Sequence, residues 1–242
     1  MWYQFDISIL WQPELRSLLT TGVVYSLTIA LASTFLSLIL GGFLAAGRLA
    51  PTPWLSLPAR GWVAFARHIP GVFWVLFFYF VFPELLPNPW TVRINQWPYF
   101  ALVAGIIGLT IDNASYVSDI VRNGILDIPR SEREAAECCG LTRWQQWRCC
   151  LLPAMMRRIF PALTLRTAHN LKNSSLCMVI GVQDITWATQ QIESITFRGL
   201  EATLVATLFY VLLVQFIIRA ANLWELRANA QRRRLGQIWN AI

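Results

Sequence analysis

The sequence predicts an all-α integral membrane protein that crosses the bilayer five times and forms a single transmembrane domain, residues 1–242. Only 14% of its residues are charged and 56% are hydrophobic, and the mean hydropathy is +0.47. This composition is typical of a chain solvated largely by lipid. Between Arg16 and Arg48 the chain carries no formal charge. That run is longer than the roughly 20 apolar residues a helix needs to cross the hydrocarbon core.

Five apolar segments are long enough to be considered as spans. They cover about 17–47, 61–83, 98–122, 161–184 and 200–219. The fourth is interrupted by Arg166, His169 and Lys172, which would be costly against lipid. Its charged side chains are therefore expected to face water or one another.

The arginines predict the orientation of these spans. Thirteen arginines fall on one side of the membrane, in the loop near 47–60, the segment 122–158 and the C-terminal tail. The other side has only Arg16, Arg93 and Arg198. The positive-inside rule then places the N-terminus outside and the C-terminus in the cytoplasm. Anionic lipid headgroups explain the net charge of +7, so no nucleic-acid partner is expected.

The cytoplasmic segment 131–153, SEREAAECCGLTRWQQWRCCLLP, predicts a helical hairpin. SERE at 131–134 and TRWQ at 142–145 both have the spacing of a capping box, which satisfies N–H groups at a helix start. Gly140 is expected to end the first helix in a left-handed conformation. Pro153 lacks the N–H that a continuing helix would need, so it is expected to end the second.

Four cysteines in this hairpin are expected to be reduced, because it faces the cytoplasm. They are Cys138, Cys139, Cys149 and Cys150; a fifth, Cys177, lies in the fourth span. Adjacent cysteines on a helix point about 100° apart, and the CxxC spacing of zinc sites is absent from the sequence. No metal site is predicted.

Nucleotide-binding and catalytic motifs are missing from the sequence. Lys172 is the only lysine, and it follows Asn170 and Leu171 rather than a glycine-rich loop, so the chain has no P-loop. GxSxG and HExxH are also absent. The chain is therefore not expected to be an enzyme or to hold a cofactor.

Polar side chains inside the predicted spans form two helical faces. On the third span these are Asp112, Ser115, Tyr116 and Asp119; on the fourth they are Arg166, His169, Asn170 and Asn173, with Lys172 at the edge. One interpretation is an internal network of Asp with Arg or Lys that holds the spans together. The other is a translocation path, with cations near a substrate carboxylate and aspartates near its ammonium group.

The hairpin resembles a known family. EAAECCG at 134–140, followed by LP at 152–153, is similar to the EAA–G–LP signature of ABC-importer permease subunits. The wider chain resembles the polar amino-acid permeases, through TGVVYSLTIALAST, GGFLAAGRLA, FARHIP, ASYVSDIVRNGILDIPRSEREAA and LKNSSLCMVIGVQDI. VFPELLP and NLKNSS look most like the glutamate and aspartate members.

This resemblance implies a type I ABC-importer permease fold in the bacterial inner membrane. It implies a dimer of ABC ATPases that holds the ATP, a second permease subunit (a copy or a paralogue), an extracytoplasmic solute-binding protein and an amino-acid substrate. The hairpin would be the coupling element, with Glu134, Ala135, Ala136 and Gly140 as its ATPase-coupling residues. The expected substrate path comprises Arg67, Asp112, Asp119, Arg166, His169, Lys172 and Asn173.

Two other functions fit a polytopic helical protein. A membrane-anchor subunit of a redox enzyme would place several histidines on neighbouring spans for haem, and the sequence offers His68 and His169. A proton-coupled secondary transporter could use Asp112 and Asp119, although such folds usually contain internal repeats.

Overall fold

The computed structural model describes residues 5–6 and 12–239, with side chains up to residue 227, and all regular structure in that part of the chain is helical. The first half contains α1 (Pro13–Leu49), α2 (Pro53–His68), α3 (Gly71–Leu76), α4 (Asn88–Asn95) and α5 (Phe100–Leu126). The second half contains α6 (Arg130–Cys138), α7 (Arg143–Gln145), α8 (Leu152–Asn173), α9 (Ile185–Thr196) and α10 (Gly199–Trp239). Two π-helical turns, Phe77–Val81 and Gln146–Leu151, and two 3-10 helices, Pro83–Leu85 and Ser174–Ile180, join them.

Three of the described helices are long and apolar enough to cross a membrane: Pro13–Leu49, Phe100–Leu126 and Gly199–Arg227. They match the predicted spans 17–47, 98–122 and 200–219. The predicted span 61–83 is bent by 103° between Pro53–His68 and Gly71–Val81, and counts as a fourth span if the bent pair crosses as one unit.

The segment 161–184 is not one helix. α8 begins earlier, ends at Asn173 and continues as the 3-10 helix to Ile180, after which Gly181 takes a left-handed φ of 80°. Because α8 carries its charged residues along its length, it is not apolar enough to be identified as a span by composition. A count of five spans therefore remains a prediction.

α1 and α5 form the centre of the bundle, with α8 against both. The face of α1 that packs inward is made of small residues three or four positions apart: Gly22, Ser26, Ala30, Ser33, Ser37, Gly41 and Ala45. Small residues let helix backbones approach closely where the hydrophobic effect gives little drive. Polar bonds add to this packing: Asn113 of α5 donates to Ser37 (2.5 Å), and Asn170 of α8 donates to Ser33 (2.8 Å).

α3 is held against α5 at a glycine. A Cβ on Gly108 would lie 2.7 Å from the backbone nitrogen of Val75 and 2.8 Å from its Cα. Real Cβ atoms essentially never come this close, so α3 approaches α5 only because residue 108 has no side chain. This contact brings Gly71, at the bend between α2 and α3, beside Asp112, which a Cβ at position 71 would meet at 3.3 Å.

The hairpin confirms two of the four helix starts and ends that the sequence predicted for it. Thr142 and Gln145 form a capping box, in which Thr142 Oγ1 accepts from the Gln145 N–H (3.4 Å) and Gln145 Oε1 accepts from the Thr142 N–H (2.9 Å). Gly140 follows the end of α6 with a left-handed φ of 67°.

The other two end signals in the hairpin were wrong. α6 begins at Arg130, two residues before the start that an N-cap at Ser131 predicts. Its N-cap is the extended Pro129 (ψ 147°), so Ser131 lies inside the first turn and makes no cap. Pro153 does not end the second helix, because it lies in the first turn of α8. The π-helical turn Gln146–Leu151 precedes it, and this wider turn accommodates a proline that would break a regular α-helix.

Candidate functional site

A polar cavity of about 410 Å³ lies between the α2–α3 bend, α5 and α8. Five of the seven residues predicted for the substrate path line it: Arg67, Asp112, Arg166, His169 and Asn173. Tyr116, which the sequence placed on the same polar face, lines it as well. The polar faces predicted on α5 and α8 therefore meet here in part, because Ser115, Asp119 and Asn170 of those faces do not line the cavity.

Arg166 is the most firmly bound of these side chains. Its Nη2 donates to Asp112 Oδ2 at 2.9 Å, and its Nε donates to Asn113 Oδ1. The side chains of Arg166 and Asp112 are only 11% and 8% exposed. A buried ion pair of this kind joins α8 to α5, so the predicted internal Asp–Arg network exists and forms one wall of the cavity.

Tyr116 lies between two arginines. The guanidinium of Arg166 is 3.9 Å from the centroid of the Tyr116 ring, and that of Arg67 is 4.9 Å from it. Both distances permit cation–π attraction. The tyrosine thus screens two like charges from each other while keeping both near the cavity.

Asp119 lies one helical turn beyond Tyr116 and outside the cavity lining. It accepts a hydrogen bond from Arg48 Nη1 at 2.5 Å and another from Arg67. The sequence identified Arg48 only as a topology signal, because nothing in the local pattern shows that the end of α1 meets α5. Asn113 was missed for the same reason, although its polar character inside a span was a visible signal.

Lys172 does not share the cavity with the other predicted residues. Its side chain is exposed, and Asp112 and Asp119 already pair with arginines. The expectation that Lys172 is buried beside Asp112 or Asp119 was wrong, whereas its exposure to a water-filled path stays a prediction. Asn170 is fully buried and donates to Ser33 and Thr34 of α1 (2.8 and 2.9 Å), so its role is structural.

The cavity region carries a surplus of positive charge. Three arginines (Arg48, Arg67 and Arg166) are balanced by two carboxylates, those of Asp112 and Asp119. His169 contributes no negative charge. Its Nδ1 lies 3.4 Å from Arg166 Nη1, where a neutral imidazole accepts a hydrogen bond. An unbalanced cation within a membrane protein favours an anionic ligand.

The hairpin is braced against the spans on both sides. Arg158 of α8 donates two hydrogen bonds to the carboxylate of Glu132 on α6 (2.7 and 3.2 Å), and Arg133 donates to the carbonyl of Ile125 on α5 (2.7 Å). The hydrogen bond with Glu132 raises the pKa of Arg158 further above its ordinary value, so the guanidinium stays charged at any physiological pH. These contacts connect α6 to both α5 and α8.

The predicted coupling residues occupy different environments. Glu134, Ala135 and Gly140 are exposed, but Ala136 is only 2% exposed and lines a groove between α6 and the π-helical turn. Trp144, in the second part of the hairpin, is 72% exposed. The exposed set is available to another protein, whereas Ala136 allows the close packing of the hairpin on itself.

Comparison with known proteins gives a consistent family. Residues 37–228 match the model of the binding-protein-dependent transport system inner membrane component family. The glutamine transport system permease protein GlnP of Escherichia coli K12 is 31% identical, over 89% of this chain and 95% of its own length. The glutamate/aspartate import permease protein GltK of Escherichia coli O157:H7 is also 31% identical, with 90% and 98% covered. The octopine transport system permease protein OccM of Rhizobium radiobacter is 28% identical, with 95% and 92% covered.

Solved structures show the same fold. An amino acid ABC transporter crystallised with histidines superposes with a TM-score of 0.79 at 23% identity, covering 93% of this chain and 100% of that one. The inward-facing MetNI methionine ABC transporter superposes with a TM-score of 0.71 at 22% identity, covering 89% and 98%.

Proposed function

Because the chain belongs to the family of binding-protein-dependent transport system inner membrane components, we propose that it is the permease subunit of an ABC importer for polar amino acids and that its polar cavity is a station on the substrate path. The family match favours import over a redox anchor or a secondary transporter. In this arrangement the N-terminus is outside and the C-terminus is cytoplasmic.

The observation that carries the proposal is the charge pattern of the cavity. Arg67 lines it with a side chain that is 42% exposed, and Asp112 lines it beside Arg166. An amino acid presents a carboxylate and an ammonium group a few ångströms apart. A cation and a carboxylate on facing helices bind those two groups by charge-assisted hydrogen bonds.

The surplus of one positive charge also favours an acidic substrate. Glutamate and aspartate carry a net charge of −1, which this surplus attracts, whereas a substrate with a cationic side chain is repelled. We therefore propose glutamate or aspartate as substrates, with glutamine as the neutral competitor. GlnP and GltK, the relatives described above, carry both substrate types in their names.

The hairpin is proposed to dock on an ABC ATPase that binds and hydrolyses ATP. Glu134 and Trp144 are exposed on it, and the Arg158–Glu132 bridge connects it to α8. Two ATPase subunits, a second permease subunit (a copy or a paralogue) and an extracytoplasmic solute-binding protein complete the transporter. ATP-driven closure of the ATPases would then move α6 and, through α5 and α8, the cavity walls.

Transport by the purified complex tests this function. Proteoliposomes that contain the tagged chain with its co-purifying partners, ATP in the lumen and binding protein outside are expected to accumulate radiolabelled L-glutamate or L-aspartate. Arginine uptake serves as the charge control. Uptake that is independent of ATP, or that prefers arginine, would contradict the proposal.

Replacing Gly140 by valine is expected to uncouple ATP hydrolysis from transport without preventing membrane insertion. Residue 140 has a φ of 67°, which a β-branched residue adopts at a cost of about 1–2 kcal/mol. A Cβ there meets nothing within 4 Å, so the damage comes from the backbone alone. Stimulated ATPase activity and uptake are measured in the proteoliposomes.

Gly140→Asn is the matched control, because asparagine tolerates the left-handed conformation and should retain most coupling. Normal uptake by a well-expressed Gly140→Val variant would remove the turn from the coupling mechanism.

Replacing Lys172 by methionine is expected to leave assembly intact and to lower uptake about tenfold, the effect of losing about 1.4 kcal/mol of attraction for the substrate carboxylate. Assembly should persist because the side chain is exposed and the aspartates pair with arginines. Gel filtration reports assembly, and Lys172→Arg is the charge-conserving control. Uptake equal to wild type would mean that Lys172 only extends toward the membrane interface.

A further inference from the structure

Two arginines bind the single carboxylate of Asp119, so their combined charge exceeds the charge of that carboxylate. Arg48 binds its Oδ1 at 2.5 Å and Arg67 binds its Oδ2. Arg48 also donates to Ser118 Oγ (3.2 Å) and has a side chain that is only 14% exposed. Arg48 is therefore a sufficient and permanent partner for Asp119, and Arg67 is the second, dispensable cation.

Arg67 is the arginine of this cluster that is free to change partners. Its side chain is 42% exposed, against 14% for Arg48 and 11% for Arg166, and it lines the cavity. Arg166 is held by Asp112 and Asn113, so releasing it would leave a buried carboxylate without a cation. Releasing Arg67 leaves no such defect, because Arg48 still neutralises Asp119.

Arg67 also lies next to the bend in the predicted second span. It is the second-last residue of α2, directly before the 103° bend that leads into α3. Its ion pair with Asp119 ties that bend to α5. Loss of the ion pair would remove one of the contacts that hold the bend against α5.

We propose that the carboxylate of Asp119 binds Arg67 while the cavity is empty. When an amino acid enters, its α-carboxylate replaces Asp119 as the partner of Arg67. This inference rests on the proposed function, since it requires a substrate with a carboxylate. Asp119 is then a positioning residue that competes with the substrate. The exchange of one carboxylate for another on Arg67 couples occupation of the cavity to release of the α2–α3 bend.

Direct binding to the purified transporter complex, without the solute-binding protein, tests this competition. The probes are radiolabelled L-glutamate and L-glutamine. Asp119→Asn removes the competitor and is expected to lower the Kd at least about fivefold, a typical coupling between two sites. Arg48→Gln makes Arg67 the sole cation for Asp119 and is expected to raise the Kd by a similar factor. Arg93→Gln, on α4 beside Trp90, is the matched arginine control and should leave the Kd unchanged.

If the cluster only stabilised the fold, losing either Asp119 or Arg48 would weaken substrate binding, so the Kd would rise in both variants. The α-amide of glutamine, which lacks the α-carboxylate, should gain nothing from Asp119→Asn. Opposite shifts of the Kd in the two variants support the exchange; shifts in one direction, or no shift, overturn it. Wild-type complex that binds neither probe would overturn the proposed function, and the exchange with it.

A further variant covers the case in which Asp119→Asn fails to assemble. Arg67→Gln should bind glutamine and its α-amide equally, whereas Arg48→Gln should still prefer glutamine. Preserved discrimination in an assembled Arg67→Gln variant would show that the carboxylate is bound elsewhere and would overturn the proposal.

Discussion

Replacing Arg166 by methionine is expected to remove most of the assembled permease from the membrane. Asp112 would remain as a carboxylate that is only 8% exposed and has lost its cation. Breaking one partner of a buried ion pair costs about 3–5 kcal/mol. That is a large part of the roughly 5–15 kcal/mol that stabilises a typical folded protein. The assembled fraction is measured by gel filtration of a fluorescent fusion, and its stability by the midpoint of thermal unfolding.

The double variant Arg166→Met, Asp112→Leu separates the charge effect from lost packing. Removing both charges should restore much of the assembly, since apolar replacements of a buried pair are often tolerated. Uptake should not return, because the cavity has lost its carboxylate. Arg157→Met, at an exposed position of α8, is the control. An Arg166→Met protein that assembles as wild type would mean that water, rather than Arg166, compensates Asp112.

Replacing Gly108 by leucine is expected to have the second-largest effect, a loss of stability of about 3 kcal/mol or more and of substrate binding. The new Cβ would lie 2.7 Å from the Val75 nitrogen, and a backbone atom has no rotamer by which to move away. α3 would have to leave α5, which would separate Gly71 and the bend from Asp112. Thermal unfolding and L-glutamine binding are measured together.

Gly42→Leu is the matched control on α1, where a Cβ meets nothing within 4 Å. It should unfold like wild type, because the added side chain enters open space. Equal stability of the Gly108→Leu and Gly42→Leu variants would contradict the close contact between α3 and α5.

Local patterns predicted the elements whose cause is local. The uncharged run after Arg16 predicted α1. Helical periodicity placed Asp112 and Tyr116 on one face of α5. Gly140 and the Thr142 capping box predicted the turn of the hairpin. Each depends on the periodicity or the backbone preference of a few neighbouring residues. The resemblance of EAAECCG to the permease signature added the family, which the match over residues 37–228 confirmed.

Only the tertiary structure decided how the helices continue into one another and which side chains of different helices pair. The sequence predicted that Pro153 ends a helix, but the π-helical turn before it accommodates the proline ring. It also predicted that Lys172 pairs with an aspartate, but Arg48 of α1, Arg67 of α2 and Arg166 of α8 pair with Asp119 and Asp112 instead. A sequence fixes the face on which a residue of one helix lies, because that follows from 3.6 residues per turn. Which helix meets that face depends on the packing of residues as distant as Arg48 and Asp119, and no local pattern encodes that pairing.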